Sequence, residues 1–257
     1  MFSPLPVYVI NLARRPDRLR AIAQRLGAAG LAFERIDAFD AQIMADAAID
    51  AHFAPDTGFG KGDRCCTLSH LRLFERLANS SDDYAIVLED DAVFDAKALR
   101  RLLDPGWLPR NVDLVKIEAY GPVHRKIIIG RRLSVFPGVS IARLHRKHTG
   151  AGGYIISRRL ASWLLAHSRP LTMPIDHLLF NPLISPVFHR IRPYQLLPAV
   201  VRQFDINTDS DIAPWRTPER RSGRAFLNHE LRRFVADVAA LPHLALRRWR
   251  FVSITSR

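Results

Sequence analysis

"PVYVINLARRPDRLRAIAQRLGAAGLAFERIDAFD", residues 6–40, decides the fold. Residues 6–12 form a β-branched and aromatic run bounded by a proline and a charged stretch, the pattern of a strand. Pro16 suits the first turn of a helix, where a missing N–H costs nothing. Leu19, Ile22, Ala23 and Leu26 then recur at helical spacing, and glycines close the segment. "AFERIDAFD" returns as a second short strand. Strands on either side of a crossover helix pair in parallel, so an α/β architecture is predicted.

The rest of the chain continues the alternation. "DAQIMADAAIDAHFAPDTGFGKGDR" reads as helical at first and then as a Gly-rich loop. "CCTLSHLRLFERLANSS" reads as a helix, with Leu68, Leu71, Leu73, Phe74 and Leu77 apolar. "DYAIVLEDDAVF" is a third strand, "KALRRLLD" a short helix and "VDLVKIEAY" a fourth strand. "RKIIIG" and "RLSVF" suggest a hairpin or edge strands. "GGYIISRRLASWLLAHS" passes from strand to helix, and "YQLLPAVVRQ" supplies a late strand. The last forty residues read as basic and helical, interrupted by Pro242. One domain over 1–213 and a basic helical segment over 214–257 are expected.

Composition narrows the class. The 257 residues are 48% hydrophobic, enough for a core and too much for a disordered chain. The two cysteines, Cys65 and Cys66, are adjacent, which rules out a disulfide framework and favours a reducing compartment. No apolar run reaches the roughly 18 residues of a membrane span, and no basic region precedes the first strand, so a soluble or peripheral cytoplasmic protein is expected. The net charge of +13 is unevenly placed. No Asp or Glu occurs between Ala119 and Ile175, and Pro214 to Arg257 holds ten arginines against Glu219, Glu230 and Asp237. Such surfaces attract anions.

Against that charge stands "LEDD", in which Glu89, Asp90 and Asp91 close the third strand. Ligands of open α/β sheets sit beyond the carboxyl ends of strands. Adjacent carboxylates repel one another, and a hard divalent cation such as Mg²⁺ or Mn²⁺ relieves the conflict. Residues two apart on a strand share a face, which would pair Glu89 with Asp91. The alternative is a solvated strand end. Arg14, Arg15 and Arg18 form an anion site at the start of the first helix. Ser69 and His70 precede the acidic strand. Gly152 and Gly153 would permit close approach of the backbone to a ligand. Asp176 and His177 follow Pro174 and serve either chemistry or a helix cap.

Taken in order, "VYVINLARRPDRLRAI", "FERIDAFDA", "CTLSHLRLFERL", "YAIVLEDDAVF", "VKIEAYG", "HTGAGGYIISRRLASWLL", "PIDHLLF" and "LPAVVRQ" with "SDI" resemble glycosyltransferase family 25, the lipooligosaccharide-type galactosyltransferases. The resemblance spans about residues 7–212. It implies a GT-A-like α/β fold, a UDP-sugar donor (commonly UDP-galactose), Mn²⁺ or Mg²⁺, inversion, and a glycolipid or polysaccharide acceptor. In its light Glu89 and Asp91 hold the metal and Asp90 touches the donor ribose. Asn11, Arg15 and Asp17 belong to the nucleotide segment, and Ser69, His70, Gly152 and Gly153 join the donor site. Asp176 or Glu118 is the general base, and His177 or His189 completes the metal shell. The chain departs from the family at Cys65 and in "GFGKGDRC".

Arginines beside Trp249 and Phe251 predict attachment to the anionic inner face of a cytoplasmic membrane. A metal-dependent phosphohydrolase and a basic nucleic-acid-binding protein are the rival classes. The chain carries no recognisable nucleic-acid module, and none is expected as a partner.

Overall fold

The computed structural model describes residues 3–55, 57–119, 126–203 and Asp211, together with Val235, Val238, Leu241, Pro242, Ala245, Leu246 and 249–254. The opening stretch forms β1 (Val7–Asn11), α1 (Pro16–Ala28) and β2 (Glu34–Asp37). Then come α2 (Asp46–Asp50), α3 (Lys61–Ala78), β3 (Tyr84–Glu89), β4 (Ala92–Phe94), α4 (Ala96–Arg101) and β5 (Leu114–Lys116). The chain continues through β6 (Lys126–Phe136), β7 (Val139–Leu144), β8 (Gly153–Ser157), α5 (Arg158–His167), α6 (Ile175–Phe180) and α7 (Phe188–Ile191). It closes with β9 (Tyr194–Leu197), β10 (Val201–Gln203) and β11 (Arg250–Ser253).

Nine strands make one mixed sheet in the order β11-β6-β7-β9-β5-β8-β3-β1-β2, and β10 pairs with β4 in a separate ribbon. β1 runs parallel to β2 and β3, as the crossover helix requires, and β5 runs parallel to β9. The other pairings are antiparallel.

Alternation along the strands divides the core. Val7 and Val9 pack with Ile86 and Leu88 against Ile22 and Leu26 of α1 and Leu99 of α4. Tyr8 and Ile10 turn the other way with Ala85 and Val87, towards Leu68, Leu71 and Phe74 of α3 and Leu160 and Leu164 of α5. Helices on both faces of the sheet give a three-layer α/β/α body. The central strands are apolar on both faces because both faces are covered.

Three local expectations are corrected. "RKIIIG" and "RLSVF" are not two strands: β6 runs unbroken through Gly130. The reversal falls instead at Gly138, whose φ of 72° suits a residue without a side-chain carbon. The Gly-rich "GFGKGDR" is not loop throughout, since α3 begins at Lys61 with Gly60 as its cap. The segment 214–257 is not wholly a helical appendage. β11 adds to the main sheet beside β6, with Phe251 opposite Ile128. Most of 214–257 lies outside the described residues.

Candidate active site

β1 and β3 run the same way, so Asn11 and Glu89 arrive together at one edge of the sheet. β8 is antiparallel to β3, which brings the chain just before Gly153 to that edge as well. α3 and α6 contribute from one face, and the end of β10 from another. A cleft of about 190 Å³ lies there, lined by Asn11, Arg14, Arg18, Ser69, Glu89, Asp90, Asp91, Gly150, Asp176, Gln203 and Asp211, among others. It sits beyond the carboxyl ends of the parallel strands, where open α/β sheets bind their ligands.

The acidic triplet is held differently from the sequence expectation. β3 ends at Glu89, and Asp90 and Asp91 form the turn into β4. Strand alternation therefore does not pair Glu89 with Asp91. Gln203 does: its side-chain amide donates to Glu89 Oε2 at 2.8 Å and to Asp91 Oδ1 at 3.5 Å. The position of Gln203 follows from the β4–β10 ribbon, where it lies opposite Ala92. Asp90 points away from the pair. It accepts from Asn11 Nδ2 at 2.7 Å and from Arg18 at 3.2 Å.

Electrostatics follows from burial. Desolvation, with Glu118, Asp90 and Asp176 nearby, raises Glu89 to about 8. Asp91 is pushed well up by burial and by Glu89 and Asp90. Asp90 is also raised by burial, against the pull of Asn11 and Arg18. Two carboxylic groups this reluctant to ionise, sharing one amide, make a donor set that a divalent cation would suit. The residues fit the group that the family resemblance implies.

The arginines lie beside the acidic turn, Arg18 in contact with Asp90. Arg14 pairs with Asp40 at 2.7 Å and with Asp211 at 2.5 Å. Arg15 and Arg18 reach the same Asp211 carboxylate at 2.6 Å and 3.4 Å. Three guanidinium groups thus converge on one carboxylate. Arg14 and Arg18 face the cleft. Arg15 also chelates Asp17, which is exposed on the first turn of α1 and held well below the ordinary carboxylate range by that contact. Asp17 is a partner for Arg15 outside the cleft lining. Asn11 is buried and fully engaged: it donates to Arg15 O and Asp90, and accepts from Arg35 Nε.

Glu118 is corrected as a candidate base. Its side chain is 0% exposed and ion-paired with the equally buried Lys116 at 2.6 Å. The same oxygen accepts from Gly152 N–H, and the Glu89 N–H donates to Gly152 O. Lys116 also donates to Gly150 O. Glu118 therefore anchors the loop under the acidic turn and does not face the cleft. Gly152 and Gly153 are corrected likewise. A side-chain carbon on Gly152 would come within 2.9 Å of Gln203 Cγ, and on Gly153 within 2.9 Å of Val201 Cγ1. The missing side chains make room for β10, not for a ligand.

Asp176 does line the cleft. Its carboxylate accepts from Gly150 N–H at 3.1 Å and from its neighbour's N–H at 2.8 Å. Ser69 also lines it, but the hydroxyl is spent donating to Cys65 O and accepting from Phe39 N–H. His177 bonds Asn181 and packs on Phe59, and His189 is exposed on α7 against Phe188. Neither is among the cleft-lining residues. The histidine beside the acidic pair is His70, fully buried, with Nε2 3.3 Å from Glu89 Oε1 and Nδ1 2.7 Å from Tyr154 Oη. Burial lowers it to about 4, so it is neutral. Gln203 and Asp211 have no role in the sequence reading. Both nevertheless lie in pieces that carry the family resemblance, "LPAVVRQ" and "SDI".

The description "Glycosyltransferase family 25 (LPS biosynthesis protein)" fits residues 5–179. The lipooligosaccharide biosynthesis protein lic2B of Haemophilus influenzae is 26% identical over 208 residues, 76% of this chain and 75% of that one. The lacto-N-neotetraose biosynthesis glycosyltransferase LgtE of Neisseria gonorrhoeae is 27% identical over 168 residues, 62% of this chain and 59% of that one. A solved glycosyltransferase involved in glycosylation of the major capsid of PBCV-1 superposes with a TM-score of 0.42 at 9% identity, covering 81% of this chain and 96% of that one. With two thirds of its length matched, acidic turn and cleft loops included, the chain belongs to glycosyltransferase family 25.

Proposed function

We propose that the protein transfers a sugar, galactose in the first instance, from a UDP-sugar to a cell-surface glycolipid or polysaccharide, with inversion and with Mn²⁺ or Mg²⁺. The observation that carries this reading is the convergence of Glu89 and Asp91 on one Gln203 amide, in a cleft that Arg14 and Arg18 also line. Glu89 and Asp91 would hold the cation, which neutralises charge on a departing diphosphate. Arg14 and Arg18 would pair with the phosphate oxygens, guanidinium forks matching their geometry. Inversion needs a base on the acceptor side. Asp176 suits that role, because two backbone N–H groups fix its carboxylate while it faces the cleft. It would take the acceptor hydroxyl proton as the oxygen attacks the sugar carbon.

Calorimetric titration of UDP with and without Mn²⁺, with GDP and CMP as controls, tests the donor half. Binding should need Mn²⁺, prefer UDP and vanish in Asp91→Asn. Asp176→Asn should retain that binding and lose about 10²–10⁴-fold in turnover. Full turnover in Asp176→Asn would remove it as the base. Nucleotide-sugar consumption without any acceptor would favour a hydrolase, and salt-sensitive DNA binding without nucleotide-sugar binding would favour the nucleic-acid class.

A peripheral membrane location forms part of the same reading. Among the described residues no helix is long and apolar enough to cross a membrane. Val235, Val238, Leu241, Leu246 and Phe251 are exposed apolar residues in the arginine-rich C-terminal stretch. Apolar residues among arginines suit an anionic lipid surface, where a lipid-linked acceptor would be met.

A further inference from the structure

Cys66 and His70 stand four residues apart on α3 and so share one helical face. That face meets the end of β3 at Glu89. One sulfur, one imidazole nitrogen and one carboxylate oxygen from these residues all lie within 4.8 Å of one another. His70 Nε2 and Glu89 Oε1, at 3.3 Å, already have the separation of two ligands on one tetrahedral ion. Bonds of about 2.0–2.3 Å to nitrogen, oxygen and sulfur place the sulfur about 3.5 Å from each.

The surroundings are those of a ligand set. His70 Nδ1 is bonded to Tyr154 Oη, and both side chains are fully buried. A ligating histidine normally commits its second ring nitrogen to such a partner, which fixes the ring and aims the other nitrogen. Cys66 and Glu89 line the cleft, so an ion has a way in and a fourth position on the open side.

We propose that Cys66, His70 and Glu89 bind one divalent ion of the Zn²⁺ class, at a site separate in donor chemistry from the carboxylate pair but sharing Glu89 with it. Thiolate and imidazole favour Zn²⁺ or Co²⁺, whereas Mg²⁺ and Mn²⁺ prefer oxygen. Binding exchanges the thiol proton for the metal: the S–H bond breaks, a sulfur–metal bond forms, and the proton leaves to solvent. No electron moves. Because both ions would draw on the single Glu89 carboxylate, Zn²⁺ here would compete with the hard cation and inhibit transfer. That consequence rests on the transferase reading, and the binding does not.

Co²⁺ is the probe, titrated into the untagged full chain and followed by absorption. A sulfur-to-cobalt charge-transfer band and intense four-coordinate visible bands are expected, saturating at a single equivalent. Zn²⁺ should bleach them. Cys66→Ser should abolish the charge-transfer band. Tyr154→Phe should keep it and weaken affinity roughly 10–100-fold. Absence of the band in the wild-type chain, or its survival in Cys66→Ser, overturns the site. Excess Mn²⁺ should lower the apparent Co²⁺ affinity, and lose that effect in Asp91→Asn. An affinity indifferent to Mn²⁺ overturns the sharing of Glu89 and leaves the cobalt bands as the measure of the site itself.

Discussion

His70 and Glu89 hold one proton between them. Burial drives His70 down to about 4 and Glu89 up to about 8, so between those values the carboxyl is protonated and the imidazole neutral. In the unfolded chain the groups titrate near 6.5 and 4.5. From pH 4.5 to 6.5 the unfolded histidine and the folded glutamic acid each carry one proton, and their effects on stability cancel. Above 6.5 only the folded state keeps its proton, so stability falls towards pH 8, by about 2 kcal/mol. Below 4.5 unfolding takes up more protons than folding keeps, and stability falls again. Asp91, whose raised carboxyl also keeps its proton in the folded state, adds to the alkaline fall, so thermal unfolding across pH without divalent ions should show stability declining towards pH 8. Mn²⁺ should flatten the alkaline fall, because the metal replaces the proton on Glu89. A midpoint unaffected by Mn²⁺ at pH 8 would count against a cation at Glu89. At this scale the sequence is partly legible. The acid triplet stands out at a strand end, and all three residues do line the cleft. Which acids pair is not legible, since a turn and a distant Gln203, not strand period, decide it.

At the scale of elements, the end of β5 carries a charge pair into the middle of the sheet. Lys116 and Glu118 lie two residues apart in an apolar run, which is itself a sign that both side chains turn inward together. That spacing already argues for an internal ion pair over a general base at Glu118. Breaking a buried pair strands the remaining charge. Lys116→Met should cost about 3–5 kcal/mol in denaturant unfolding. Lys116→Met with Glu118→Gln should recover much of that loss. Equal destabilisation by the single and double replacements would show that the pair itself contributes little. β1, α1, β2 and most of α3 and β3 are readable from period and breakers, but the start of α3 inside "GFGKGDR" and the turn that separates β3 from β4 are not. β6 and β11 are not: a glycine inside a strand resembles a turn, and an edge strand has no sequence neighbour to announce its partner.

For the whole molecule, the excess of 38 basic over 25 acidic residues is a statement about encounters, not fold. Vesicles rich in anionic lipid should bind the chain far better than neutral ones, and added salt should weaken the binding. Equal, negligible binding to both would remove the membrane from the proposal. The α/β class is legible from the first forty residues, because a crossover helix admits little else. The extent of antiparallel pairing is not, since β8 and β9 find partners far away in sequence.

One carboxylate among three arginines has a further consequence. Asp211 fills a place that a phosphate group would also favour, and it is tethered to the chain, so no dilution removes it. On the transferase reading, an arriving diphosphate would displace a resident and not enter an open site. The affinity measured for a nucleotide would then be a difference between two anions, smaller than the arginines alone would provide. A departing product would meet the same competitor at constant local concentration, so turnover would gain an exit aid from the residue that weakens entry.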